Sequence, residues 1–168
     1  ADVIVYTMQI ATGKDFGTNA VELKGLKETT VTLTGPSLKG KLADNARYFW
    51  RVRAIDNHGI ESAWSSEAEF VYNEKNDAPT KFELASPAQG DSLPAGDVKM
   101  VWGTASDPDP GARVSYTLQV ARDKGFTDRA QRFSGLTATE FTLPGAMTEA
   151  GAEFFWKVSA EDGMGGVT

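Results

Sequence analysis

The stretch that decides the fold is residues 48–65, which read YFWRVRAIDNHGIESAWS. Its first half alternates, so that Tyr48 and Trp50 fall on one side of an extended chain and the arginines on the other. A period of two predicts a β-strand with one buried face and one solvated face. Residues 56–59 then supply Asp, Asn and Gly, which suit a tight turn. The sequence therefore predicts a β-hairpin whose second strand runs over residues 66–72.

Composition excludes several classes of protein. The chain is 40% apolar and 24% charged, which is ordinary for a globular protein. Its net charge of −6 repels phosphate backbones, so we expect neither nucleic acid nor anionic membrane as a partner. The absence of cysteine excludes disulfides, thiolate nucleophiles and sulfur-ligated zinc. The apolar runs are far shorter than the ~20 residues of a membrane-spanning helix, so no membrane insertion is expected.

The sequence contains an internal duplication. Residues 3–11 read VIVYTMQIA and residues 113–121 read RVSYTLQVA, while YFW at 48–50 matches FFW at 154–156. Short strands separated by turn residues are typical of a β-sandwich or barrel. In the first copy we expect strands near residues 3–11, 20–24, 29–33, 47–55 and 66–72. In the second copy we expect them near 81–85, 97–104, 113–121, 130–134, 139–143 and 153–160.

The duplication is out of phase with the expected domains. Residues 74–79 are polar and end in proline, so they are predicted to link a domain over 1–73 to one over 80–168. The second domain begins with two strands that have no counterpart in the first. The first domain ends with a strand that has no counterpart in the second. We therefore expect both domains to be incomplete as given, the first without its first two strands and the second without its last.

Three features recur in an ordered pattern, namely a tryptophan-bearing second strand, an alternating third strand and a tyrosine corner, at Val98, Met100, Trp102, Tyr116, Leu118, Val120, Leu42 and Tyr48. This pattern resembles the fibronectin type III family over essentially the whole chain, with the modules of bacterial surface and secreted proteins as the nearest likeness. It implies an all-β fold of two immunoglobulin-like sandwiches in tandem. The second copy departs from the family because Phe154 and Thr148 replace the corner residues Tyr48 and Leu42. We expect packing alone to hold that second corner.

The chemistry-bearing residues do not predict an enzyme. The single histidine, His58, lies in the predicted hairpin turn, where no buried carboxylate can orient it toward a serine. A narrow sandwich also offers no cleft in which two carboxylates could hydrolyse a glycoside. We interpret His58 as a turn residue and the chain as non-catalytic, with no cofactor required.

Three carboxylates form a candidate metal site. Asp107 and Asp109 precede the third strand of the second domain, and Asp162 follows its sixth strand. In the expected fold these loops emerge at the same end of the sandwich, where three carboxylates can collect Ca²⁺. The alternative is a solvated acidic loop, because Asp-Pro pairs commonly start turns.

Trp64 is a candidate ligand platform. It breaks the alternation that places Trp50, Trp102 and Trp156 in the core. Exposed aromatic rings stack on sugars, which favours a carbohydrate-binding surface. The alternative is packing, because the family has a capping aromatic or proline residue at this place.

These observations predict a non-catalytic extracellular or cell-surface module for spacing, display or protein contact. The alternatives are a carbohydrate-binding accessory to a secreted polysaccharide-degrading enzyme, or a calcium-rigidified adhesin segment. The expected partners are the rest of the parent polypeptide or a neighbouring copy, which would complete the missing strands. A protein or glycan ligand is also compatible with the sequence.

Overall fold

The computed structural model describes residues 3–17, 19–33 and 40–168. The chain divides into two compact units, Ala1–Lys75 and Asn76–Thr168, here called the first unit and the second unit. The predicted linker over residues 74–79 spans this division. No helix in the described ranges is long and apolar enough to cross a membrane.

The described residues of the first unit form one antiparallel sheet of four strands. They are β1 (Val5–Ala11), β2 (Val21–Leu26), β3 (Ala46–Ile55) and β4 (Ala68–Tyr72), in the order β2-β1-β3-β4. The predicted hairpin is formed by β3 and β4, which pair Tyr48 with Phe70. Residues opposite each other in an antiparallel pair share a face of the sheet. The pairing of Ile10 with Trp50 therefore places both on the face that carries Tyr48.

This apolar face forms the core of the first unit. Met8, Ile10, Leu42 and Tyr48 are buried, and Trp50 packs against them. The Tyr48 hydroxyl accepts a hydrogen bond of 2.7 Å from the backbone N–H of Ala43. The inward orientation predicted for Tyr48 is confirmed, and its hydroxyl ties the corner to the upstream backbone.

The predicted strand over residues 29–33 is wrong, because the structure has no strand there. Its counterpart in the second unit, β9 (Glu140–Leu143), is a strand because it pairs with β6 (Val98–Trp102). The described part of the first unit has no strand equivalent to β6. Without that partner residues 29–33 form no ladder, although Val31 and Leu33 still pack against the core.

The second unit contains two sheets. Its other strands are β5 (Leu84–Ser86), β7 (Ser115–Ala121), β8 (Gln131–Leu136) and β10 (Phe155–Glu161), and a 3-10 turn covers Gly145–Met147. The sheets are β5-β6-β9 and β10-β7-β8. One core cluster joins Met100 and Trp102 of the first sheet to Tyr116 and Leu118 of the second. The two sheets therefore face each other as an immunoglobulin-like sandwich, which confirms the all-β prediction.

Side-chain hydrogen bonds fix the second corner. The Thr148 hydroxyl lies 3.1 Å from the carbonyl oxygen of Gly96 and 2.9 Å from that of Gly145. The N–H of Gly145 donates to Asp97 Oδ1 at 2.7 Å. The prediction that packing alone would hold this corner is wrong, because Thr148 and Asp97 tie it to the segment that leads into β6.

Candidate functional site

Two acidic loops of the second unit meet the second half of the predicted linker. Asp109, in the loop between β6 and β7, accepts a hydrogen bond of 2.8 Å on Oδ2 from the N–H of Asp77. Asp162, directly after β10, accepts one of 2.7 Å on Oδ2 from Asn76 Nδ2. Asp107 joins them because its Oδ1 accepts a bond from the N–H of Asp109. We call Asp107, Asp109 and Asp162 the acidic loop cluster.

Asp162 organises a turn with its carboxylate. Its Oδ1 accepts hydrogen bonds from the N–H groups of Met164, at 2.6 Å, and Gly166, at 3.0 Å. Burial raises the pKa of Asp162, but these bonds and the one from Asn76 outweigh burial and hold the pKa below its usual value. A Cβ on Gly166 would lie 2.3 Å from Asp162 Oδ2 and 2.9 Å from the carbonyl oxygen of Asp77. Only glycine fits where this turn meets residue 77.

The other two carboxylates keep one oxygen each without a donor. Asp107 Oδ2 and Asp109 Oδ1 are buried and accept no hydrogen bond. Asp109 and Asp162 are each 5% exposed. Within the second unit, residues 76–168, no lysine or arginine forms an ion pair with any member of the acidic loop cluster. The basic side chains of this unit therefore do not balance the negative charge of the cluster.

The three predicted metal ligands are not assembled as a three-carboxylate site. Among the residues that the structure describes, no group of three His, Cys, Asp or Glu side chains could hold a metal ion. The reason is visible at Asp162, whose two oxygens both accept hydrogen bonds from its own turn and from Asn76. Sequence reasoning placed the loops at the same end of the unit, but it could not foresee that backbone N–H groups would occupy Asp162.

Trp64 packs against arginine side chains on the outer face of the first sheet. The guanidinium carbons of Arg51 and Arg53 each lie 4.5 Å from the centre of its ring. Arg51 also lies 4.1 Å from the ring centre of Phe16, and its Nε and Nη2 donate to Gln9 Oε1. Stacked guanidinium groups occupy the ring surface that a sugar would need. The half-buried Trp64 is therefore placed as a packing residue of this face.

Serine hydroxyls on either side of Trp64 attach its segment to β3. Ser65 Oγ accepts a hydrogen bond from the N–H of Val52, and Ser62 Oγ accepts one from the N–H of Ala54, both at 3.0 Å. The N–H groups of the same two serines donate to the carbonyl oxygens of Val52 and Ala54. Sequence reasoning missed this arrangement, whose signal was two serines spaced around a tryptophan beside an arginine-bearing strand.

His58 lies on a solvated turn. Its side chain is 72% exposed, and its Nδ1 is 4.0 Å from Asp56 Oδ2. Asp56 Oδ1 accepts hydrogen bonds from the N–H groups of His58 and Ile60, so this carboxylate shapes the turn. The pair therefore has the geometry of a β-hairpin turn and lacks the buried, oriented setting of a catalytic dyad.

Comparisons with known proteins give one family match and similarities to solved structures at low sequence identity. Residues 5–72, less than half of the chain, match the sequence profile of a family described as "Rha78A-like, N-terminal immunoglobulin domain". No curated protein matches the chain. Among solved structures, the chain is similar to the FN1–FN3 domains of chicken CNTN1, with 14% identity and a TM-score of 0.34 over 98% of this chain and 50% of that one. It is also similar to a two-domain fibronectin type III segment of chicken tenascin, with 15% identity and a TM-score of 0.36 over 98% and 79%.

The two sheets of the second unit and the family match of the first unit define the fold. The first unit matches an immunoglobulin-domain family, and the second unit is an immunoglobulin-like sandwich of two antiparallel sheets. Many cell-surface domains share this sandwich architecture, but a fold by itself does not determine function. The chain spans half the length of the chicken CNTN1 structure that it matches.

Proposed function

We propose that this chain is a non-catalytic spacing, display or protein-contact segment of a larger extracellular or cell-surface protein. One observation carries the proposal: the apolar face of the first unit is only partly covered. Tyr6 and Ala54, which pair across β1 and β3, are half-buried. Their counterparts in the second unit, Tyr116 and Ala160, pair in the same way and are buried.

The second unit shows what covers such a face. The rings of Trp102 and Phe82 contact Tyr116 edge-on, with ring centres 5.7 and 5.6 Å away. The Tyr116 hydroxyl accepts a hydrogen bond of 2.9 Å from the N–H of Ala105. All three partners come from the segment around β5 and β6. The described part of the first unit has no equivalent segment, so Tyr6 has no such cover.

The occupant that fits the first unit is a small β-layer with large apolar side chains, supplied by the parent polypeptide. Burial of a side chain such as Trp102 contributes about 1.5–3 kcal/mol, a large share of a domain's total stability of about 5–15 kcal/mol. A sheet whose apolar face is only partly covered therefore gains stability by packing against further polypeptide. This need for a neighbour is what supports a role as one segment of a longer protein.

Hydrogen exchange tests the proposal. In the 168-residue chain we expect the amides of β1 and β3 to exchange faster than those of β7 and β10. In a longer version that includes the flanking residues of the parent gene, β1 and β3 should become as protected as β7 and β10. Equal protection of the four strands in the 168-residue chain would overturn the proposal. Sedimentation distinguishes the source, because cover by a second copy would appear as a concentration-dependent dimer.

Two further measurements address location and ligand. Protease treatment of intact cells should cleave the native protein if it is exposed at the surface, and an uncleaved protein released only by lysis would contradict that placement. A glycan array tests the carbohydrate alternative, and Trp64→Ala is its matched variant. Since the arginines occupy the Trp64 ring, we expect no glycan signal that depends on Trp64.

A further inference from the structure

Two carboxylate oxygens of the acidic loop cluster are buried without a hydrogen-bond donor among the described residues. Asp109 is 5% exposed, and its Oδ1 is buried without a hydrogen-bond donor. Asp107 Oδ2, two residues away in the same loop, is also buried without a donor. The other oxygen of each carboxylate accepts one hydrogen bond, Asp109 Oδ2 from the N–H of Asp77 and Asp107 Oδ1 from the N–H of Asp109. A buried oxygen without a donor is still costly, and a bound metal ion would remove that cost. Within the second unit, whose residues 76–168 are all described, no basic side chain forms an ion pair with either residue.

We propose that Asp107 and Asp109 bind a calcium ion, with Asp107 Oδ2 and Asp109 Oδ1 as its two carboxylate ligands. Backbone carbonyl oxygens and water would supply the remaining oxygens of a shell of about six to eight. Asp162 is not a ligand in this arrangement, because both of its oxygens accept hydrogen bonds. It holds Asn76 in place beside the loop.

The chemistry of the site selects the class of ion. The available donors are oxygens, and the chain has no cysteine, so a thiolate-preferring metal has no suitable ligand. Calcium tolerates the irregular geometry of a loop, whereas magnesium demands a near-ideal octahedron and holds its water tightly. With only two carboxylates we expect a dissociation constant of about 10⁻⁴–10⁻³ M, the range of extracellular calcium modules.

Binding at this place would also fix the chain that enters the second unit. The N–H of Asp77 donates to Asp109 Oδ2, the other oxygen of a proposed ligand. An ion that immobilises the Asp109 carboxylate would immobilise this hydrogen bond as well. Calcium should therefore slow hydrogen exchange at the Asp77 amide, an effect that general charge screening would not concentrate there.

The test uses the 168-residue chain with calcium chloride as the probe. At 10 mM Ca²⁺, the melting temperature of the second unit should rise by roughly 5–20 °C relative to the chain in chelator. Asp107→Asn and Asp109→Asn should each abolish most of this rise, because each removes a charged ligand with little change in shape. Asp128→Asn is the matched control, since Asp128 is an exposed carboxylate of the same unit, and it should retain the full rise.

Several outcomes would overturn the calcium site. They are equal melting temperatures with Ca²⁺ and with chelator, a rise that persists in both ligand variants, or an equal rise with 10 mM Mg²⁺. If Asp109→Asn does not fold, Asp107→Asn and exchange at the Asp77 amide decide the matter. None of these measurements depends on the proposed module role, which is tested at β1 and β3 of the first unit.

Discussion

Tyr6 and Tyr116 occupy the same position in the two copies of the duplication, yet one is half-buried and the other is buried. Their own sheets are alike: each tyrosine lies opposite an alanine across an antiparallel strand pair. The difference lies in the facing layer, which in the second unit brings Phe82 and Trp102 against Tyr116. Local sequence therefore determines the sheet, while burial is determined by whatever packs against it.

Local details of the duplication are kept even where burial differs. Phe16 and Phe126, which are equivalent in the two copies, both adopt positive φ, at 49° and 54°. A cation from the neighbouring strand lies 4.1 Å from each ring centre, Arg51 in the first unit and Lys157 in the second. Positive φ is uncommon for a bulky side chain. Its recurrence shows that loop conformation followed the duplicated sequence.

The two corners solve the same problem in different ways. In the first unit the Tyr48 hydroxyl binds the N–H of Ala43 within its own sheet region. In the second unit Thr148 and Asp97 join the corner to the segment entering β6, which belongs to the opposite sheet. The first solution needs no second layer, and the second one depends on it. The first corner is thus anchored to the nearby backbone, and the second is anchored to the segment that enters β6.

The largest expected difference between the two units is the loss of stability when their tryptophans are replaced by alanine. Trp102→Ala should destabilise the second unit by about 3–5 kcal/mol, because Trp102 is buried between two sheets. Trp50→Ala should destabilise the first unit by only about 1 kcal/mol in this chain, because Trp50 is half-buried. Hydrogen exchange in β7 and β1, followed through urea unfolding, reports the two units separately. Equal losses in the two variants would contradict the difference in cover.

A conservative variant, Trp102→Phe, tests how the loss of stability depends on side-chain volume. Trp102 Nε1 is buried without an acceptor, so Trp102→Phe removes no hydrogen bond. Its cost should be clearly smaller than that of Trp102→Ala and should reflect lost volume alone.

A smaller loss of stability is expected when the hydroxyl group that anchors each corner is removed. Tyr48→Phe should destabilise the first unit, and Thr148→Val the second, by about 0.5–1.5 kcal/mol each, since each removes a hydrogen-bonding hydroxyl without changing the packing much. Chemical denaturation with exchange readout in each unit measures the two losses. A loss that crosses into the other unit would be inconsistent with two separately anchored corners.

The smallest expected effect concerns acid. The folded pKa of Asp162 lies below the unfolded value of about 3.9, so its hydrogen bonds contribute stability above that pH and lose it as pH falls through the folded pKa. Asp123 behaves alike, because the N–H groups of Asp128, Thr127 and Gly125 lower its pKa. The melting temperature of the second unit should fall between pH 5 and pH 2. Asp162→Asn and Asp123→Asn should each flatten that fall, and an unchanged slope in both variants would exclude this origin.

The sequence predicted correctly those features that depend on residues close together in the chain, such as strands and hairpin turns. Alternation around Tyr48 and Trp50 predicted β3, its orientation and the hairpin to β4 correctly. It failed at residues 29–33, because a strand needs a ladder partner and the partner is not encoded locally. The occupation of Asp162 by backbone N–H groups and the stacking of Trp64 on arginines also required three-dimensional placement. The duplication itself carried no sign that the two corners are anchored differently.

The serine bonds beside Trp64 have a consequence for how this protein behaves at high concentration. A strand edge with free N–H and C=O groups is a template on which another chain can add and begin to aggregate. At Val52 and Ala54 those groups are already bonded to Ser65 and Ser62. The two N–H groups donate to serine hydroxyls, and the two C=O groups accept from serine N–H groups. The part of the β3 edge that β4 does not cover is therefore unavailable for pairing with another chain, although no further strand covers it. Replacing both serines by alanine would free the N–H groups of Val52 and Ala54 to pair with another chain. Resistance to aggregation at high protein concentration would then depend on two hydroxyl groups.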